Sequence, residues 1–486
     1  MAREVILINT NVLKPPVSPV GLEYVAEALV KAGVPVRAID LPFERDWRAS
    51  LHKVLKSTEV LFVGVSVRNT DDCSFISGKS FLPWIRDVVG EVKKHTDAPV
   101  FLGGVGFSIM PEVVVQATGA DGGIEYDGED AIVALVKALA SGTDYESIPN
   151  VVYRQGDKII RNPRQNVDLS RIPARRRNVF NNKLYEVQGA MVGIETKRGC
   201  GQKCIYCADP VAKGTRTRLR PPHLVAQEFS NLMTQGVTYF HLCDHEFNLP
   251  ISHAKEVCQA LIGSGLGSKT HWYTYCAPVP FDRELALLMK SAGCKGINFG
   301  VDSLDDGMLK RLGRNYTSDE VRRLAEFLNS EGINYLFDFL VGGPGETPET
   351  VSTTIERVKQ YNLKGAGMAV GVRVYPGTRL GRHLETGKVK DGLHSTEPGN
   401  PASPLFYLSP ALGENVTGII RELVDDDPRF MVLAAPGEKG SYNYAGDDLL
   451  SRLIKEGARG AYWDIIRKYQ TSISNNQVPT PFPPLD

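Results

Sequence analysis

Lys197-Arg198-Gly199-Cys200-Gly201-Gln202-Lys203-Cys204-Ile205-Tyr206-Cys207 decides how this chain is read. Cys200, Cys204 and Cys207 put three soft thiolates in one short loop. That is enough to hold three irons of a cubane iron–sulfur cluster and to leave the fourth iron without a protein ligand, open for chemistry. A structural zinc site would need four ligands, commonly two CxxC-like pairs, and the chain has no second pair. The spacing therefore favours a cluster. Cys73, Cys243, Cys258, Cys276 and Cys294 are scattered and read as small buried hydrophobes.

At 486 residues the chain is too long for one ordinary domain and should hold two large domains plus an appendage. Lysine plus arginine equals aspartate plus glutamate, 56 each, which argues against a basic nucleic-acid face or an acidic tail. Residues Met1 to Asn9 read as a strand and not as a signal peptide, and no apolar run approaches the roughly 18 residues that span a bilayer. A cytoplasmic protein with reduced cysteines is expected.

Upstream of the cysteines, β-rich runs at Val5–Asn9, Val34–Asp40, Val60–Val67, Val100–Gly103 and Gly122–Glu125 alternate with amphipathic stretches at Gly21–Ala32, Arg48–Lys56, Leu82–His95 and Glu129–Ala140. This is the pattern of an α/β, Rossmann-like parallel sheet over residues 1–147, whose ligand would lie beyond the carboxyl ends of the strands. The loops there are Pro15 to Leu22, Ser66 to Asp72, Gly103 to Ser108 and Tyr126 to Asp130. Glycines in the third of these let backbone approach a large flat ligand. Residues 148–188 read as a hairpin turning at Gly156-Asp157 and a linker, in which Arg175-Arg176-Arg177 is expected to be a solvated strap.

Alternation resumes at Ala190–Lys197, Val237–Cys243, Thr270–Tyr275, Gly296–Val301, Tyr335–Val341 and Gly367–Val374, with helices between. Six strands and six helices predict a partial (β/α)6 barrel over residues 189–386, with its active groups at the carboxyl ends of the strands. Residues 387–486 are rich in glycine and proline at first. They then predict helices at Glu414–Asp425 and Asp447–Tyr469 and a proline-rich tail, a small mostly helical region suited to a lid or to substrate docking.

CxxxCxxC with an aromatic residue, Tyr206, before the last cysteine resembles the radical S-adenosylmethionine (radical SAM) enzymes. The region upstream, with its Pro19-x-Gly21-Leu22 opening and its Gly103-Gly104-x-Gly106-x-Ser108 loop, resembles the cobalamin-binding domain of the cobalamin-dependent, class B members of that superfamily. Together the resemblance spans about residues 1–385. It implies a 4Fe-4S cluster on Cys200, Cys204 and Cys207, S-adenosylmethionine chelated to the open iron, and cobalamin (as methylcobalamin) in the first domain. Cobalamin contacts would come from Pro19, Gly21, Leu22, Arg68, Asn69, Thr70, Gly103, Gly104, Gly106, Ser108 and Glu129. The Asp-x-His-x-x-Gly motif that supplies an axial histidine is missing, and His52 and His95 fall on expected helices. Base-off cobalamin without a histidine ligand is therefore expected, its lower face covered by Arg68-Asn69-Thr70. A surface pair of Arg68 with Asp71 or Asp72 is the alternative.

In the barrel, the resemblance places S-adenosylmethionine near Tyr206. Its amino group would meet Glu246 or Asn248 beside Asp244, for which helix capping is the alternative. Its ribose would meet Asp302-Ser303, its adenine Gly342-Gly343, and its carboxylate the fork of Arg373. Tyr375 and Glu246 are candidate bases, though hydrogen-atom abstraction requires none. The implied reaction is methylation of an unactivated carbon. One S-adenosylmethionine methylates cobalt, and a second is cleaved to a 5′-deoxyadenosyl radical with an electron from a ferredoxin- or flavodoxin-type reductant. Radical cyclisation or ring rearrangement is the alternative within the enzyme class, and a cobalamin or redox sensor the alternative outside it. The substrate stays open between a protein side chain, for example glutamine or arginine in methyl-coenzyme M reductase, and a small natural-product precursor or lipid.

Overall fold

The computed structural model describes residues 3–432 and 448–474. Strands β1 (Glu4–Asn9), β2 (Val36–Asp40), β3 (Val60–Ser66), β4 (Val100–Gly103), β5 (Gly122–Ile124), β6 (Val151–Gln155) and β7 (Lys158–Arg161) form one sheet in the order β2-β1-β3-β4-β5-β6-β7. The first five are parallel. Val5 to Ile8 are fully buried because helices cover both faces. Val20–Lys31 and Glu129–Ser141 pack through Ala26, Leu29, Ile132 and Leu135 on one side, while Trp47–Lys56, Leu82–Lys93 and Pro111–Thr118 pack through Leu51, Ile85, Val88 and Val114 on the other. The hairpin expected in the connector does form. It joins the first domain's sheet, β6 running antiparallel to β5, where Val151 and Val152 find the burial that a free linker could not offer.

The second sheet contains β8 (Val192–Ile194), β11 (Tyr239–Leu242), β12 (His271–Cys276), β13 (Cys294–Asp302), β14 (Tyr335–Val341) and β15 (Ala366–Val370), the six expected strands, all parallel. A small antiparallel pair, β9 (Lys197–Arg198) and β10 (Arg218–Leu219), brackets the cysteine loop. The run Gly367–Val374 is not one strand. Gly371, at φ 76°, turns the chain out of the barrel where a Cβ would strike Phe75 of the first domain at 2.5 Å. Beyond it β16 (Val372–Arg373) pairs with β18 (Leu405–Tyr407), which also pairs with β17 (Leu393–Ser395). The C-terminal region then returns a seventh parallel strand, β19 (Phe430–Val432), to cover the edge of β15.

Val416–Val424 is helical as expected, but the helix expected over Asp447–Tyr469 is two, Asp448–Lys455 and Tyr462–Ser474, separated at Gly457 and Gly460 with φ 102° and 118°. They close the amino-terminal end of the barrel and not the active face. Trp463 is fully buried against Tyr273, and its indole nitrogen donates to Asn298 at 2.7 Å. A lid role for residues 448–474 is thereby corrected; the expected proline-rich tail lies outside the described residues. The β17–β18 ribbon does reach the first domain, through Phe75 against His394 and Phe406.

The two domains are joined by the segment read as a solvated strap, and that reading is overturned. Arg175 and Arg177 are each 1% exposed. Arg177 pairs with Glu23 and, at 3.3 Å, with Glu228, while Arg175 lies 3.3 Å from the Tyr24 ring centroid and 2.9 Å from Glu129. Backbone amides of Arg176 and Arg177 donate to Glu27 at 2.8–2.9 Å. Acidic residues of the first helix, spaced to face the barrel, make these arginines inward-facing. Only Arg176 is exposed.

Candidate functional site

The cysteine loop leaves β9 at Gly199, whose φ of 85° and close approach to Arg216 O (2.2 Å from a would-be Cβ) admit only glycine. On its far side Ile205 N donates to Leu312 O at 3.0 Å, and Gly313 lies against Lys203 O. The three thiols are free and half-buried. Among the described residues they share one anchored loop without closing into a compact metal-binding group. Three soft donors outside any disulfide, Cys207 Sγ with Asp209 Oδ2 at 3.9 Å, in one held loop suit a site-differentiated cluster.

Tyr206 points across to the end of β13. Its hydroxyl donates to both Asp302 oxygens at 2.7–2.8 Å, and Arg314 donates from Nε to Asp302 at 2.6 Å and from Nη2 to the Tyr206 oxygen at 2.9 Å. Asp302 holds φ 68°, an unusual conformation for a non-glycine residue. Arg314 was not visible in the sequence pattern, since it follows an ordinary helix end.

Glu246 stands beside this triad, Oε1 3.8 Å from Arg314, with Oε2 buried and without a hydrogen-bond partner among the described residues. Burial pushes its carboxyl up to about 7 against the pull of Arg314. His245 is similar, with Nδ1 on Asp209 at 2.8 Å and Nε2 buried without a partner. These orphaned polar atoms next to the cysteine loop fit the amino-acid end of S-adenosylmethionine, which offers complementary donors and acceptors.

Several other expected contacts are already used by the fold. Asp244 accepts from Thr196 N at 2.8 Å, from the Thr196 hydroxyl and from Lys197 N at 3.3 Å, bracing β11 to β8. Asn248 satisfies its amide on Ala277 and Pro280. Ser303 bonds Thr354 at 3.1 Å. Gly342 and Gly343 give their amides to Glu346. None of these five polar groups is free for a cofactor.

In the first domain, Gly104 (φ 104°) and Gly106 are required because their Cβ positions would strike Val67 O and Asn69 C at 2.7 and 2.9 Å. They seat the Arg68-Asn69-Thr70 loop, and Gly106 N donates to Val67 O and Arg68 O. Ser108 bonds Gly104 O and Tyr126 N, both at 2.9 Å, and Gly103 O accepts from Val67 N at 2.7 Å. Pro19 caps the helix Val20–Lys31, Gly21 faces open space and Leu22 is partly buried. Thr70 donates to Asp71 at 2.9 Å. Arg68 is exposed and donates to Asn69 Oδ1 at 3.2 Å, while Asp71 is paired with Arg373. Glu129 is corrected. Both its oxygens are taken by Arg198 and Arg175 at 2.6–3.0 Å, so it ties the domains together. His52 and His95 pack on one another, ring centroids 4.8 Å apart, on the helical layer.

Arg373 is corrected as well. Because Gly371 diverts the chain, its guanidinium turns to the first domain, Nε and Nη2 lying 3.0 and 2.8 Å from Asp71 Oδ2, with Nη1 on the Val374 and Leu405 carbonyls. Tyr375 stacks under it at 4.3 Å and touches Cys73 Sγ at 3.4 Å, so it is an interface residue far more than a base. Between the domains the Arg68 charge reaches β11, where His241 is held down at about 4 by burial and then by Arg68. Its ring meets Tyr275 at 5.7 Å, edge to face. Neither residue stood out in the sequence.

Two family models match the chain, the B12 binding domain over residues 6–136 and the radical SAM superfamily over residues 194–358. A tryptophan 2-C-methyltransferase of Streptomyces laurentii is 28% identical over 98% of both chains. The solved structure of TsrM, a radical S-adenosylmethionine methyltransferase from Kitasatospora setae, with tryptophan substrate and a SAM analogue bound, is 30% identical and covers 97% of this chain and 100% of its own, with a TM-score of 0.89. TsrM with cobalamin and a [4Fe-4S] cluster superposes with a TM-score of 0.87 at 28% identity, covering 98% and 100%.

Proposed function

The chain belongs to the B12-binding radical SAM enzymes and is a cobalamin-dependent C-methyltransferase among them, and from that premise we propose that it methylates tryptophan, at C2 of the indole. The observation that carries this reading is similarity over 98% of both chains to a tryptophan 2-C-methyltransferase. A small-molecule substrate is the part of the earlier expectation that gains support; the protein side chain gains none. No helix among the described residues is long and apolar enough to cross a membrane.

When bound, S-adenosylmethionine and the cluster supply activated methionine chemistry and cobalamin supplies the methyl group, so the hard steps belong to the cofactors. The residues of this chain orient them. Cys200, Cys204 and Cys207 would hold the cluster, the Tyr206–Asp302–Arg314 triad would offer carboxylate and hydroxyl to the ribose, and Glu246 and His245 would offer their unused atoms to the amino-acid end. Arg68, seated by Gly104 and Gly106, would lie toward the cobalamin, and His241 with Tyr275 gives the crevice an aromatic wall on which an indole could lie edge to face. A neutral His241 keeps that wall free of a second cation beside Arg68.

The test is anaerobic incubation of reconstituted enzyme with tryptophan, S-adenosylmethionine and a one-electron reductant of the ferredoxin or flavodoxin type. A product one methyl heavier, placed at C2 by nuclear magnetic resonance, with one S-adenosylhomocysteine per methyl, is expected. A methyl group elsewhere on the ring, or no turnover of tryptophan by enzyme that holds both cofactors, would reject the substrate assignment. A product formed without S-adenosylhomocysteine would point instead to cyclisation or rearrangement.

A further inference from the structure

A second cavity, of about 640 Å³, lies at the opposite end of the barrel from the cysteine loop. It opens between the beginnings of β11, β12 and β13 and the helix Tyr462–Ser474, which presents Asp464, Arg467, Lys468 and Thr471 to it at the spacing of one helical face. Tyr239, His271 and Lys295 come from the strands, and Arg459 from the turn before the helix.

The charges around it do not balance. Asp464 is fully engaged, accepting from Tyr273 at 2.7 Å, Lys468 at 2.8 Å and Asn334 at 2.9 Å. Among the described residues Arg459 reaches only the carbonyls of Ile454, Ala458 and Val187, and its Nε is buried without a partner. Arg467 reaches Asn334 Oδ1 and Tyr335 O. Among the described residues neither arginine nor the exposed Lys295 forms an ion pair. The cations are felt at His271, which burial and then Lys295 and Lys468 hold below its ordinary value against the opposing pull of the Glu186 carboxylate. Beside these cations Tyr239 and His271 set their rings 4.8 Å apart, a flat wall. Glu186 and Asp464 act on the arginines only from beyond ion-pair contact; three cations without a contact ion pair among the described residues, around one concave site, attract an anion of more than one charge, and arginine forks suit phosphate oxygens. A single carboxylate would neutralise only one of the three.

We propose that this cavity binds a small organic phosphate, the phosphate held by Lys295, Arg459 and Arg467 and a flat ring laid on Tyr239 and His271. Its volume is that of a site for a ligand of this size, and it is separate from the methyl-transfer crevice.

Phenyl phosphate titrated calorimetrically into holoenzyme, with S-adenosylhomocysteine present to fill the adenosyl site, tests it. Saturable binding of one molecule per chain is expected, weakening with salt. It should be at least tenfold tighter than inorganic phosphate or benzoate, and at least tenfold weaker in Lys295→Glu and in Tyr239→Ala. Lys295→Glu removes an exposed side chain without a structural partner, so its cobalamin content and methyl transfer should stay at the wild-type level. Absence of saturable binding, equal binding by Lys295→Glu, or equal affinity for inorganic phosphate or benzoate would overturn the proposal.

Discussion

Arg373 of the barrel and Asp71 of the cobalamin-binding domain form a closed pair, with two guanidinium nitrogens within 3.0 Å of one carboxylate oxygen. Their side chains are 10% and 1% exposed, so the pair is shielded from water and ties the two domains together. The fork expected to take the methionine carboxylate of S-adenosylmethionine is therefore occupied by the protein itself.

Removing either partner strands the other. Arg373→Met and Asp71→Asn should each cost about 3–5 kcal/mol, and the double variant less than the sum. Chemical denaturation of the three variants checks this, together with S-adenosylmethionine affinity, which should be unchanged in protein that keeps its cobalamin. Lost affinity with full stability would return Arg373 to the cofactor.

Arg177 and Arg176 are sequence neighbours with opposite surroundings. Arg177→Ala leaves the Glu23 carboxylate buried without its cation, and Glu228 with Arg220 as its remaining one, and should cost about 3–5 kcal/mol, whereas Arg176→Ala, on an exposed side chain, should change stability by less than about 0.5 kcal/mol. Paired urea melts decide it; similar effects from the two would mean that the strap is not buried between the domains.

Glu346 in the glycine loop is pushed up to about 7 by burial, against the pull of the Gly342 and Gly343 amides. Its folded pKa lies above its ordinary value of about 4.5, so the folded state binds more protons across that interval. Its contribution is full below about pH 4.5, falls as pH rises toward 7 and is lost above, an effect on the order of 1–3 kcal/mol. Glu346→Gln should flatten the fall in melting temperature between pH 5 and pH 8; an unchanged slope would assign the dependence to other groups.

Alanine at Cys200, Cys204 or Cys207 should each strip iron from anaerobically reconstituted protein, because a cubane short of one thiolate is labile. Alanine at Cys73, Cys243, Cys258, Cys276 or Cys294 should leave iron content intact. About four irons per chain in the triple variant would place the cluster elsewhere.

Local pattern carried most of the architecture. Most strands of both sheets are short β-branched or apolar runs flanked by turn residues, and most helices are amphipathic stretches, so both parallel sheets were legible. The cysteine spacing, a property of one loop, was legible for the same reason. What stayed hidden were β19, three residues with no periodicity of their own, and the break at Gly371, which is set by Phe75 nearly three hundred positions away. Among the site residues, Tyr206 and Asp302 are hydrogen-bonded to each other and Glu246 stands beside their partner Arg314, while Asp244, Asn248, Ser303, Glu129 and Arg373 are engaged by the fold.

The amino-acid sequence by itself determined that this chain would build a Rossmann-like domain and a parallel barrel, and that three thiolates would sit together at a strand end, since these follow from residue spacing along a few turns or one loop. Only the tertiary structure decided which polar groups remain for chemistry. A carboxylate or a guanidinium has the same composition whether it is free or paired, and the difference lies in what burial brings beside it: Asp302 meets Tyr206 and Arg314, Glu246 keeps an unpaired oxygen, and Arg373 is closed on Asp71. A buried charge must be compensated by whatever lies within a few ångströms, and that neighbour is chosen by the packing of domains, not by the order of residues.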